Sequence, residues 1–298
     1  MKAMVIEKKK KRGWLSEWVH TIFWAGLIAI AFRSILLEPF NIPSGSMIPT
    51  LAVGDHLFIT KWSYGYSRFS FPFGSWNIFG GRFFQFGQPK RGDIIVFRKP
   101  DDTIEYVKRL IGMPGETIQM KAGRLFINGV MVMRENPRRY IIANISEEYK
   151  DSYQFADLVI RRGAVYKDNA PVDFDWTIEY KDRGLCRRAP SECIVEEGIE
   201  YDEILPDGRV HKIVEISDMD LLDNTPPFLV PDGHYFMMGD DRDRSADSRV
   251  DMLGPIPRDN LLGRVWTIFY SHNYYSPLLW VWDWVWKMRW DRFGLSPR

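Results

Sequence analysis

Three segments of this 298-residue chain put nucleophilic, basic and acidic side chains where they could act together. The run Pro43-Ser44-Gly45-Ser46-Met47-Ile48-Pro49-Thr50-Leu51 is a small-residue turn between apolar flanks, with prolines on both sides of Ser46. Such a turn presents a hydroxyl and a neighbouring backbone N–H toward one point. In Tyr106–Glu116 a strand with a period of two places Ile104, Tyr106, Lys108 and Leu110 on one face. A lysine on an apolar face either snorkels to water or is desolvated, and desolvation lowers its pKa from about 10.4. A neutral amine of that kind is a general base for a serine hydroxyl, which is too weak an acid to ionise alone at neutral pH. The third segment, GDDRDRSADSR (239–249), has an Asp-x-Asp-x-Ser-x-Asp spacing that invites a calcium-loop reading. That reading fails because Ala246 stands where the loop needs glycine and Met252 where it needs a bidentate Glu. Its alternating charges fit ion pairs and hydrogen bonds that brace a loop. Taken singly, each segment also reads as ordinary structure: a loop serine, a snorkelling lysine, a charged turn.

The elements that would position these groups are short strands. GDIIVFRKP contains a buried-type strand from Ile94 to Phe97, and RLFINGVMV reads as a hairpin closed by Asn128-Gly129. ILPDGRVHKIV and LVPDGHYFMMGD repeat that pattern around Pro-Asp-Gly, and GRVWTIFYS is a further strand. Many short strands at close spacing predict a mainly β body with no repeat of fixed period. Residues 130–225 are charged and irregular and read as an inserted β subdomain, which splits a catalytic β domain into 38–129 and 226–272.

Ahead of that body, Trp18–Leu37 forms a 20-residue apolar stretch, about the length a bilayer core requires of a helix. His20 and Arg33 interrupt it, and Arg33 is close enough to the end to snorkel. Residues 1–17 are a basic N-terminus. Lys2, Lys8, Lys9, Lys10, Lys11 and Arg12 against Glu7 give a local balance of +5, so the formal net charge of +1 leaves −4 elsewhere. The basic cluster predicts a cytoplasmic N-terminus and a body on the outer side. A cleaved signal peptide with Ala29-Ile30-Ala31 as its cleavage box is the alternative, and either reading exports the body. A mildly acidic body argues against a nucleic-acid partner. The two cysteines, Cys186 and Cys193, form a short disulfide-closed loop or remain separate thiols. The tail 273–298 alternates Trp280, Trp282, Trp284 and Trp286, either as core packing or as a lipid contact, and 69–86 invites the same two readings.

The motifs PSGSMIPTL, GDHLFITK, RGDIIVF, EYVKRLIGMPGE and MGDDRDRSADSR, in this order after an apolar span, resemble those of bacterial type I signal peptidases. They lie within 38–116 and 230–265, which leaves the insertion uncovered. The resemblance implies a signal-peptidase-like β-sheet core behind one N-terminal transmembrane helix. It implies Ser46 as nucleophile and Lys108 as general base. Ser44, with the N–H of Ser46, matches the oxyanion hole; Ser245 matches the serine that orients the lysine; Asp247 and Arg249 match a supporting charge pair. Phe40, Ile42, Met47, Leu51, Leu57, Tyr106 and Val107 match the lining of small pockets for Ala-x-Ala side chains. The substrate implied is the signal peptide of an exported preprotein, bound extended as an added strand. Asp241 departs from the family's usual Asn, exchanging an amide donor for a carboxyl beside Asp240.

The tether agrees with this. Nine residues separate Leu37 from Ser46, so an extended chain reaches only roughly 30 Å from the bilayer. No cofactor or metal is implied, because the five histidines show no ligand spacing and no Walker or dinucleotide glycine pattern appears. The rival readings are a non-catalytic, membrane-anchored exported binding protein and a self-cleaving Ser–Lys protease.

Overall fold

The computed structural model describes residues 17–26, 36–67, 69, 82, 84, 86–100, 104–144, 158–161, 164–167, 170–171, 177–180, 194–272 and 288–297. The chain forms strands β1 (Leu37–Asn41), β2 (Asp55–Thr60), β3 (Ile94–Arg98), β4 (Glu105–Gly112), β5 (Thr117–Lys121), β6 (Arg124–Ile127), β7 (Val130–Met131) and β8 (Met133–Asn144). Next come β9 (Leu158–Arg161), β10 (Ala164–Lys167), β11 (Ala170–Pro171), β12 (Thr177–Tyr180), β13 (Ile194–Ile204) and β14 (Val210–Glu215). The last are β15 (Phe228–Leu229), β16 (His234–Met238), β17 (Ile256–Pro257) and β18 (Leu261–Ser271). The mainly β class expected from the turn spacing is what the structure has.

The central sheet runs β1-β2-β18-β3-β4-β16-β17. Its pairings are antiparallel throughout, and register shifts in β18 bend it where it meets β2 and β3. Both faces of its middle are buried, which explains why β3 reads as an unbroken apolar run. Ile94 and Val96 pack with Leu57, Ile59 and Val265, while Ile95 and Phe97 face the other way onto Leu110, Tyr235 and Met237.

The Asn128-Gly129 hairpin forms as the sequence predicts. Both residues take positive φ, +53° and +79°, as the tight turn between β6 and β7 demands. The turn at Pro206-Asp207-Gly208 likewise joins the paired strands β13 and β14, with the Gly208 N–H on Leu205 O at 2.8 Å. Pro231-Asp232-Gly233 behaves differently. β15 pairs with β5, and β16 pairs with β4 and β17, so this turn passes the chain between sheets and closes no hairpin. The cause is local: Val230 exchanges backbone hydrogen bonds with Gly115 and Glu116, which commits the residues before the turn to the neighbouring sheet.

The ends of 130–225 are built into the body. Val132 and Leu205 share a core with Ile111, Met120, Phe236 and Met238. Tyr140 and Val214 pack against Ile48 of the serine turn. β8 and β13 form a long antiparallel pair flanked by β12 and β14. At the N-terminus residues 17–26 are helical, and Leu37, expected to end the apolar span, opens β1 opposite Thr60. No helix of the described residues is long and apolar enough to cross a membrane. Residues 27–35, both cysteines, the four alternating tryptophans and most of 69–86 lie outside the described residues.

Candidate active site

Residues 44–51 form a compact turn between β1 and β2. The Ile48 N–H donates to Gly45 O at 3.0 Å and the Leu51 N–H to Met47 O at 2.8 Å. Met47 and Leu51, both fully buried, anchor the turn in the core with Ile42, Leu57 and Val107. Ser46 is held half-exposed above that anchor, and Ser44 lies exposed at the rim.

Lys108 approaches from β4, and its Nζ is hydrogen-bonded to Ser46 Oγ. Its strand neighbours on that face are Tyr106 and Leu110, and Ile95 stands opposite it on β3. Only 4% of Lys108 is exposed. Burial pulls the ammonium down to about 8, against the upward pull of the Asp247, Asp240 and Asp241 carboxyls, with Arg249 adding to the fall. A substantial fraction of this amine is therefore neutral near physiological pH. The pair has the composition of a nucleophile and its base.

The third motif wraps behind this pair. Asp247 accepts from the Gly239 N–H at 2.9 Å and takes both Nε and Nη2 of Arg249 at 2.9 Å. Burial raises the Asp247 carboxyl, but Arg249, the Gly239 N–H and Lys108 outweigh it and hold it below the usual range. Gly239 is the close-approach point: a Cβ there would lie 2.2 Å from Ser245 Oγ and 2.5 Å from Ser46 O. Ser245 and the Ser46 carbonyl thus converge on Gly239, yet the buried Ser245 hydroxyl has no hydrogen-bond partner and makes none with Lys108.

Asp241, the departure from the family pattern, donates its backbone N–H to Ser46 O at 3.2 Å. Burial raises its carboxyl to about 8, as does nearby Asp243; the Arg244 N–H, Lys108 and Arg249 pull the other way. Near neutral pH this carboxyl is largely protonated. Its Oδ1 accepts the Arg244 N–H at 3.3 Å, and the raised carboxyl carries less charge beside Asp240 than the sequence suggests.

Of the expected pocket residues, Ile42, Met47, Leu51, Leu57 and Val107 join one cluster, with Phe40 packed against it. Tyr106 lies apart, stacked on Phe97 at 5.9 Å on the Lys108 face. Leu51 and Leu57 are wholly covered and belong to the floor.

Sequence reasoning missed the charges that hold the site's frame. Arg109, next to Lys108 but on the opposite face, makes a bidentate pair with Asp240 at 2.7 Å for both bonds. It also donates to Gly92 O and Thr50 Oγ1. Asp240 is raised by burial but held down by Arg109, His211 and Thr50. Arg242 reaches back to Gly239 O and forward to Glu203 of β13. The RDRS charge alternation was the available signal, but partners distant in sequence are invisible to spacing.

A family model described as signal peptidase, peptidase S26, matches residues 15–270. The chain belongs to this family. The signal peptidase I of Rickettsia typhi (strain ATCC VR-144 / Wilmington) is 34% identical over 255 residues, spanning 82% of this chain and 76% of the relative. That of Rickettsia massiliae (strain Mtu5) is 33% identical over 266 residues, spanning 86% and 79%. A solved signal peptidase I from Enterococcus faecalis V583 shares 25% identity over 59% of this chain and 96% of that one, with a TM-score of 0.25, too low to add to the assignment. Membership in S26 makes the chain a serine endopeptidase and sets aside the reading as a non-catalytic binding protein.

Proposed function

We propose that this S26 peptidase removes N-terminal signal peptides from exported preproteins, cutting after Ala-x-Ala-like sites with Ser46 as nucleophile and Lys108 as general base. The observation that carries this is the hydrogen-bonded Ser46–Lys108 pair, whose amine is buried and lowered to about 8. The neutral amine takes the Oγ proton as Oγ attacks the scissile carbonyl carbon. Lys108 then returns that proton to the leaving amine, giving an ester on Ser46. A water molecule, deprotonated by Lys108, hydrolyses the ester and restores the hydroxyl. The Ser46 N–H and the Ser44 hydroxyl steady the oxyanion. Ser245 positions the amine, and the Asp247–Arg249 pair braces the loop that backs it.

An edge for an extended substrate is present beside Lys108. β16 pairs with β4 only from Arg109 onward, so among the described strands none pairs with Glu105–Lys108 on that side. A peptide added there would pass Ser46 with side chains alternating toward Phe40, Ile42 and Val107 on one side and Tyr106 on the other. The membrane anchor is the apolar stretch from Trp18 up to the start of β1 at Leu37, with residues 1–17 cytoplasmic and the peptidase on the outer side of a bacterial inner membrane, at the lipid surface where leaders emerge. Processing of a leader-bearing precursor in detergent tests this. Ser46→Ala and Lys108→Met should each abolish cleavage while folding and membrane insertion persist. Cleavage by Lys108→Met at the parental rate would overturn the dyad.

A further inference from the structure

We propose that Glu215, Asp223 and Asp243 form a site for one divalent cation of the Ca²⁺ type, which ties the loop after β14 to the loop that carries Asp241 and Ser245. The three carboxylates come from separate segments: the end of β14, the following loop, and the acidic motif. One oxygen from each lies within 4.8 Å of those of the other two.

The hydrogen bonding around them has a consistent division. Asp223 Oδ2 accepts the Asp220 N–H at 2.6 Å, and Asp243 Oδ2 accepts those of Ile216 and Ser217 at 2.6 and 2.9 Å. The remaining oxygens, Asp223 Oδ1 and Asp243 Oδ1, are buried with no hydrogen-bond partner. Glu215 is 3% exposed and Asp223 is fully buried. Neither Glu215 oxygen accepts a well-formed hydrogen bond, although Arg134 Nη1 stands 2.9 Å from Oε2. Buried carboxylate oxygens without donors are costly, and in native proteins such atoms usually have a ligand or ion to face.

Arg134 faces Glu203 and Glu215, Arg242 and His211 face Glu203, and Arg249 is committed to Asp247. Among the described residues no lysine or arginine makes an ion pair with Asp223 or Asp243, so the cluster holds an excess of acid that a cation would offset. Burial pushes all three carboxyls upward, Glu215 to about 8; Asp243 and Asp223 add to the rise at Glu215, Asp223 adds to it at Asp243, and a hydrogen bond with Glu215 works against it at Asp223.

All-oxygen, all-carboxylate donors select a hard cation. Three protein carboxylates gathered in a buried site suit Ca²⁺, whereas Mg²⁺ usually keeps several waters and is seldom held by an all-protein cage. The contiguous spacing of the acidic motif fails as a calcium loop, but folding supplies Asp243 with two ligands from elsewhere. The consequence reaches the active site. Asp243 is two residues from Asp241, whose N–H holds Ser46 O, and two from Ser245, which packs on Gly239.

The test uses the full chain in detergent, stripped with EDTA and titrated with CaCl₂ by calorimetry and by thermal unfolding. The expected result is one saturable site per chain with Kd of roughly 10⁻⁴–10⁻³ M or tighter, and a Tm that rises with Ca²⁺ and falls back with EDTA. Asp223→Asn and Asp243→Asn should each weaken binding at least about tenfold. If Asp223→Asn does not fold, Asp243→Asn, whose side chain is only partly buried, carries the comparison. No saturable binding up to roughly 10 mM, a response to MgCl₂ equal to that to CaCl₂, or an unchanged affinity in both variants would each overturn the proposal. So would a Tm that follows pH through a shared carboxyl proton and ignores Ca²⁺.

Discussion

β4 carries two buried cations side by side, and the pleat sends them to opposite faces of the sheet. Lys108 meets a neutral hydroxyl, while Arg109 meets a carboxylate. Each is at most 4% exposed, so burial alone does not distinguish them. The partner does. Lys108 sits among carboxyls that it does not bind directly, desolvation dominates, and its amine drifts toward neutrality, the state a base requires. Arg109 has both branches of its guanidinium on Asp240, so its charge is satisfied and inert. On the proposed reading one face of the strand carries the base and the other its mount.

The largest effect should fall on the reactive face. Lys108→Met should lower cleavage by roughly 10³-fold or more with little loss of stability, because it replaces a buried amine by an apolar chain of similar length. With Lys108 as the proposed base, the neutral amine is the active form in the parent enzyme. kcat/KM should therefore rise about tenfold per pH unit on the acid side and level off above about 8. A flat profile between pH 6 and 9 would assign the base elsewhere.

The mount should respond in stability first. Asp240→Ala leaves the Arg109 guanidinium buried and uncompensated, and should cost about 3–5 kcal/mol in denaturant unfolding. Removing both partners as Arg109→Met/Asp240→Leu should be milder than the single change, since the pair's desolvation disappears with it. If Asp240→Ala proves as stable as the parent, the ion pair does not hold the loop.

Gly239→Ala probes the contact between the two regions. The new methyl would meet Ser245 Oγ at 2.2 Å and Ser46 O at 2.5 Å, and the second of these atoms is backbone. We expect about 1–3 kcal/mol of overpacking strain and a larger fall in kcat than that strain implies, because the displaced atoms belong to the serine turn. Unfolding and steady-state kinetics on the same preparation separate the two effects.

How much of this was legible in the sequence follows from range. Alternation read Lys108 onto the face it occupies, and Asn128-Gly129 announced its hairpin, because both signals act within a few residues. The serine turn and the acid motif were legible as segments. Arg109–Asp240, Arg242–Glu203 and the approach of Gly239 to Ser46 were not, since each joins residues whose spacing carries no periodic signature. Alternation assigns faces but not burial: the curled sheet buries both, so the period of two does not mark Arg109 as a buried cation. Tyr106, grouped with Val107 by motif matching, falls on the other face, where alternation puts it with Lys108.

Ser245→Ala should have the smallest structural effect and an opposite sign. The hydroxyl is buried without a hydrogen-bond partner, so a methyl in its place removes an unsatisfied polar group and should leave stability unchanged or raise it by about 1 kcal/mol. The Ser245 Oγ lies against Gly239, immediately behind Ser46, within the loop whose Asp247 acts on Lys108. If the hydroxyl positions the amine while Oγ attacks, Ser245→Ala lowers kcat with KM little changed and moves the acid limb of the pH profile. Ser245→Thr, which keeps the hydroxyl, should restore part of the rate. Equal loss of rate and stability in both variants would mean that Ser245 is packing alone, and the support of Lys108 would then rest on Asp247 and burial.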